Sequence, residues 1–173
     1  MKNRRPNRLK HYDYSENGYY FVTICTYNRE CFFGEIVEEE MVKNETGELA
    51  EKLWLDIPEH FRCVELDEYV IMPNHIHGIV VISNVGNAYM RSLRNERNKM
   101  LLSNVIQQYK AAVTREINKL ELIPDFKWQK SFYDHIIRNE VSLTKIRNYM
   151  QTNPVTWDND KENLNFIPVT RRV

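Results

Sequence analysis

Apolar and polar positions change their spacing several times along the chain, and each change marks a new element. YYFVTICTY, residues 19–27, is rich in β-branched and aromatic residues and predicts a first strand. CFFGEIVEEEMVKN predicts a short hairpin, with Gly34 near a bend. From Glu45 to Phe61 the period becomes helical: Leu49, Leu53, Ile57 and Phe61 recur every fourth residue, and Pro58 stands where it can kink or end the last turn. Val64 to Met72 and His75 to Ser83 predict two adjacent strands around a Pro73-Asn74 turn. The clearest helix runs from Leu101 to Leu120, where Leu102, Val105, Ile106, Tyr109, Ala112, Val113, Ile117 and Leu120 form one stripe. WQKSFYDHIIR, residues 128–138, predicts a fourth core strand. Glu140 to Thr152 predicts a last helix with Leu143, Ile146 and Met150 inward and Pro154 as its stop.

With the small hairpin set aside, the order is strand, helix, strand, strand, helix, strand, helix. That is the split βαβ pattern of a ferredoxin-like α+β fold with one extra C-terminal helix. Its sheet is expected to be mostly antiparallel, with helices on one face and the other face free for a ligand. The 173 residues fit a single domain. Within it, residues 1–13 are expected to form a basic arm, 84–99 a flexible basic loop and 158–173 a C-terminal tail.

Composition narrows the setting. Lysine plus arginine balance aspartate plus glutamate at 24 each, so net charge alone announces no nucleic-acid partner. Distribution says more: Lys2, Arg4, Arg5, Arg8 and Lys10 form an arm without acids, and RSLRNERNK adds a second basic stretch. Such segments can track phosphates or can simply be solvated. Three cysteines without C-x-x-C spacing argue against a disulfide framework and against a cysteine zinc site. No apolar run reaches the ~20 residues of a membrane helix, and no secretory signal precedes the first strand. The expectation is a cytoplasmic protein with no membrane partner.

The candidate chemistry lies in VIMPNHIHGIV, residues 70–80. In a strand, alternate side chains share a face, so His75 and His77 point one way and Ile76 the other. Residues i and i+2 lie about 7 Å apart, and neutral imidazoles converging across that gap can hold a divalent metal. The same pair can equally be hydrogen-bonded groove residues. Near the end, YMQTN places Tyr149 and Asn153 at i and i+4, on one helical face. Asn153 can equally cap the helix. Tyr109, on the apolar stripe of its own helix, is read as packing.

The ordered landmarks YFVTICTYNRECFFG, YVIMPNHIHGIVVI, WQKSFYDHIIRNE and IRNYMQTNP span nearly the whole chain. Together they resemble the single-tyrosine transposases with a His-hydrophobic-His signature, and within these the REP-associated tyrosine transposases. The resemblance implies cleavage and rejoining of single-stranded, hairpin-containing DNA through a 5′-phosphotyrosine. It implies Tyr149 as nucleophile and His75, His77 and Asn153 as ligands of Mg2+ or Mn2+. Arg4, Arg5, Arg8, Lys110 and Arg138 become candidate DNA contacts, and His135 a candidate auxiliary group. Relatives of this kind occur as monomers and as homodimers that exchange the tyrosine helix. Two other readings compete: an inactive nucleic-acid-binding module, and a metal-dependent phosphoesterase without a covalent intermediate.

Overall fold

The computed structural model describes residues 12–83 and 101–164. Arg4, Arg5, Arg8 and the 84–99 segment lie outside the described residues. The elements are β1 (Gly18–Cys25), the hairpin β2 (Gly34–Val37) and β3 (Glu40–Lys43), α1 (Glu45–Leu55) and α2 (Ile57–His60). They continue with β4 (Val64–Met72), β5 (His75–Ile82), α3 (Leu101–Lys119), β6 (Tyr133–Ile137) and α4 (Glu140–Thr152). Four strands form one antiparallel sheet in the order β4-β5-β1-β6, while β2 and β3 make a separate ribbon. Among the main strands, this order is second, third, first, fourth, the interleaving of two split βαβ units. The expected ferredoxin-like α+β fold is the fold observed.

Strand alternation divides the side chains between two faces. Tyr20, Val22 and Ile24 of β1 and Ile76, Val80 and Ile82 of β5 are buried on one of them. Against these pack Ala50 and Trp54 of α1 and Leu102, Val105, Ile106, Tyr109 and Val113 of α3. The Tyr109 hydroxyl donates to the Ala50 carbonyl at 2.9 Å, so the packing assigned to this tyrosine holds and also ties α3 to α1. Gly78 follows the histidine pair for a packing reason. A Cβ there would lie 2.3 Å from Cζ2 of Trp54, whose indole packs directly on β5.

Several boundaries depart from the sequence reading. The helix expected over Glu45–Phe61 breaks at Asp56, because Pro58 has no N–H to continue the ladder and instead opens the short α2. Its fully buried residues are Ala50 and Trp54 rather than Leu49 and Leu53, which flank the core. The fourth strand covers only Tyr133–Ile137, with Trp128 before it in a single bridge to Thr26. Leu120 lies past the end of α3 and is exposed.

The second face is not open. Leu143 and Met150 of α4 bury against Ile79 and Ile137, since the helix has an apolar stripe of its own to cover. Polar contacts fix its rotation: Arg147 Nε donates to Asp67 Oδ1 at 2.8 Å, and Gln151 Nε2 to Glu68 Oε1 at 2.8 Å. Asp67 and Glu68 sit at a register shift in β4. Beyond α4 the chain packs back against the sheet, and within the described part of the expected 158–173 tail Asp160, Glu162 and Asn163 are buried, as is Trp157 just before it. No helix among the described residues is long and apolar enough to cross a membrane.

Candidate active site

His75 and His77 do share a face of β5, and both are buried, at 0% and 2% exposure. Their rings converge to 4.4 Å between centroids. Each ring is held from behind at Nδ1. For His77 the partner is Thr23 Oγ1 at 2.8 Å, from the paired position on β1. For His75 it is Asn74 Oδ1 at 2.8 Å, from the turn that joins β4 to β5. Phe21 stacks on the His77 ring at 5.1 Å and closes its far side.

Into the space in front of the imidazoles come residues of α4 and of the crossing segment. The Tyr149 hydroxyl lies 3.2 Å from His77 Nε2 and donates to Asp160 Oδ2 at 3.3 Å. Asn153, the C-cap of α4, donates from Nδ2 to the same carboxylate oxygen at 2.8 Å. The other oxygen, Oδ1, accepts from the backbone of Glu162 at 2.7 Å, which pins Asp160 in place. One ligand atom from each of His75, His77 and Asp160 falls within 4.8 Å of the others. Two buried atoms here have no hydrogen-bond partner: His75 Nε2 and Asn153 Oδ1. Both are acceptors when the imidazole is neutral, and an acceptor buried without a donor is costly unless a cation answers it.

The electrostatics agree with a ligand set. Burial pushes His75 down to about 3 against the upward pull of the Asn153 amide, so the ring is neutral near pH 7. Burial and the neighbouring His75 hold His77 well below the ordinary histidine range as well. Neutral imidazole is the form that binds metal. Tyr149 is pushed the other way, upward, by burial and by the Asp160 carboxylate. The resting phenol is therefore protonated, with its proton directed at a carboxylate.

Of the residues singled out in the sequence, His75, His77, Tyr149 and Asn153 meet at this cluster. His135 lies on β6 opposite Phe21, which places it on the same face of the sheet, but exposed and among none of the contacts above. Arg138 is exposed at the junction of β6 and α4. Lys110 is on α3, and its ammonium donates to the carbonyls of Gln129 at 2.6 Å and Ser131 at 3.4 Å. Asp160 lies in the segment expected as a tail, where no motif or spacing marks it. The signal available was Trp157, a large apolar residue past the helix stop that requires the chain to stay packed. Asn74 and Thr23 carry no sequence signal beyond that of a turn residue and a strand residue.

No family model matches the chain. A protein of Haemophilus influenzae, described only as uncharacterized, is 40% identical over 169 residues, covering 93% of each chain. The chain belongs to one family with it. Among solved structures, a REP-associated tyrosine transposase bound to a REP hairpin superposes with a TM-score of 0.60 at 17% identity, over 87% of this chain and 73% of that one. A transposase candidate from Deinococcus radiodurans gives a TM-score of 0.48 at 15% identity, over 83% and 96%. The fold is thus that of the REP-associated tyrosine transposase, as the ordered landmarks predicted.

Proposed function

We propose that the chain is a divalent-cation-dependent transferase of single-stranded DNA in which Tyr149 forms a 5′-phosphotyrosine. One observation carries this reading: a half-exposed phenol is held against the imidazole pair and a buried carboxylate, 3.2 Å from His77 Nε2 and 3.3 Å from Asp160 Oδ2. The shared transposase fold supports it. That transposase was solved with a REP hairpin, and hairpin-containing DNA is the substrate proposed for this chain.

The residues present fit a cation. His75, His77 and Asp160 supply two neutral nitrogens and a carboxylate, and the unpartnered Asn153 Oδ1 adds a neutral oxygen. Mixed nitrogen and oxygen ligands suit Mn2+ or, through the oxygens, Mg2+. When bound, such an ion polarises the scissile phosphate as a Lewis acid.

The protein's own residues do the rest. Tyr149 attacks phosphorus, its phenolic proton passing to Asp160. The new Oη–P bond replaces the bond to the 3′ oxygen, which takes up a proton from water and leaves as a 3′-hydroxyl. A later 3′-hydroxyl reverses the exchange, and the phenol departs readily because its ordinary pKa of ~10 lies well below that of an alcohol. One ester bond is exchanged for another, so no nucleotide triphosphate is consumed. Nucleophile and imidazoles come from one chain, so a monomer can hold a complete site.

The test is incubation with single-stranded hairpin DNA and Mn2+ or Mg2+, followed by denaturing electrophoresis. A slowed protein–DNA band that is absent for Tyr149→Phe supports the proposal. Cleaved DNA without an adduct, DNA binding without cleavage, or an adduct formed by Tyr149→Phe overturns it.

A further inference from the structure

We propose that Asn74 is a positioning residue that fixes His75 as the tautomer protonated on Nδ1, leaving Nε2 bare toward the cluster. Which of the surrounding groups can donate decides the orientation. Asn74 is fully buried. Its Nδ2 lies 3.0 Å from the carbonyl oxygen of Arg29 and 2.8 Å from that of Glu162. Backbone carbonyls only accept, so both contacts require the amide nitrogen on that side. Reversing the amide would set its oxygen against two carbonyl oxygens, each left without a donor in the interior. The orientation is therefore decided by the network, and Oδ1 faces His75.

That oxygen also only accepts. His75 Nδ1, 2.8 Å away, must then carry the proton. A neutral imidazole has one N–H, so Nε2 keeps its lone pair, and Nε2 is the atom buried without a partner. The opposite tautomer would turn an N–H toward the cluster and could satisfy Asn153 Oδ1. It would then press the Nδ1 lone pair against Asn74 Oδ1. Asn74 thus holds the site in the form that receives a cation and opposes the form that would close on itself.

The anchor spans three segments that are distant in sequence. Thr26 fixes the Asn74 backbone carbonyl, through its N–H at 2.9 Å and its Oγ1 at 3.0 Å. Arg29 and Glu162, whose carbonyls hold the Asn74 amide, are joined by an ion pair at 2.9 Å. The same crossing segment therefore supplies Asp160 to the cluster and, through the Glu162 carbonyl, orients the group that sets the His75 tautomer.

This inference rests on the proposed function only for the identity of the cation. Its primary test is the tautomer itself, read by long-range proton–nitrogen spectra of metal-free protein labelled with 15N-histidine. The wild type is expected to show His75 protonated at Nδ1 and bare at Nε2; a proton on Nε2 there overturns the proposal without any variant. Asn74→Ala is expected to move the proton wholly or partly to Nε2 and to weaken Mn2+ binding about 10- to 100-fold by calorimetry. Asn74→Asp keeps an acceptor for Nδ1 and is expected to retain the tautomer, although it loses both carbonyl contacts and with them stability. Folded Asn74→Ala with the proton still on Nδ1, or Asn74→Asp with it on Nε2, refutes the role. Failure of the wild type to take up any divalent ion defeats the proposed function instead, while the spectra still decide this one.

Discussion

The Tyr149 hydroxyl lies 3.2 Å from Nε2 of His77, although 72 positions separate the two residues. Nothing local brings them together. The contact follows from how α4 is seated: Leu143 and Met150 set its depth, and Arg147 on Asp67 and Gln151 on Glu68 set its rotation. Those four side chains repeat at helical spacing on the side that faces the sheet. Tyr149 lies beside that stripe, at its border with solvent, where its hydroxyl reaches His77 while the ring stays partly exposed.

Asp160 accepts a hydrogen bond from Tyr149 and is the proposed acceptor of its proton, so its removal should slow chemistry more than DNA binding. Because Asp160 is also a proposed ligand of the cation, the rate is compared at saturating Mn2+, where Asp160→Ala is expected to reduce adduct formation by about 10²-fold or more, the range of a lost general base. The affinity for hairpin DNA, measured without added metal, should stay within about threefold. A rate close to wild type would show that the proton leaves by another route.

The fold was largely legible because its strands and helices differ in period, and the period reports burial. The His-Ile-His alternation announced one shared face, which the register of β5 with β1 bears out. The i, i+4 spacing of Tyr149 and Asn153 likewise announced one helical face. What no periodicity could announce was which face of the sheet α4 covers, since that depends on tertiary contacts such as Arg147 with Asp67. Asp160 was illegible for a related reason. It sits in irregular chain, where position is set by hydrogen bonds to Glu162, Asn153 and Tyr149 rather than by any repeat.

Acid should destabilise the metal-free protein before any carboxylate network fails. His75 has an ordinary value of 6.5 and is pushed to about 3 in the fold, and His77 is displaced in the same direction. Between those values the unfolded chain binds protons that the folded chain refuses. Stability is thus fully present above pH 6.5 and falls as the pH drops toward 3, by about 1.4 kcal/mol per pH unit for His75, with His77 adding in the same direction. Asp67, held below the ordinary carboxylate range by Arg147, adds to the loss only at more acidic pH. Urea midpoints at pH 7, 6 and 5 should decline, and His75→Gln should flatten the slope. A midpoint constant over that interval would show that the imidazoles are accessible to protons in the folded state.

Gly78 should resist even one added methyl group. Its Cβ would meet the fully buried Trp54 ring at 2.3 Å. Gly78→Ala is expected to cost about 1–3 kcal/mol by urea unfolding, the range for overpacking a core. Because His77 is the adjacent residue, Mn2+ affinity should fall as well. Combining the change with Trp54→Phe should recover part of the stability lost by Gly78→Ala, the non-additivity of residues in contact. Strict additivity would locate the strain elsewhere.

Lys110 and Arg138 look alike as candidate DNA contacts in the sequence, yet their surroundings assign them different work. Lys110 is half-buried and donates to the carbonyls of Gln129 and Ser131, where it secures the approach to β6. Lys110→Met should therefore lower stability, by about 0.5–1.5 kcal/mol for each hydrogen bond lost. It should leave the salt dependence of DNA binding unchanged. Arg138 is exposed at the start of the connection to α4 and faces solvent. Arg138→Gln should leave the unfolding midpoint alone and weaken hairpin binding. If its guanidinium meets one phosphate, the slope of log affinity against log salt becomes shallower by about 0.7–0.9, the contribution of one released counterion. Titrations of both variants across a salt series separate the two roles. Equal slopes for Arg138→Gln and the wild type would remove Arg138 from the DNA-contacting surface, and a shallower slope for Lys110→Met would put Lys110 on it.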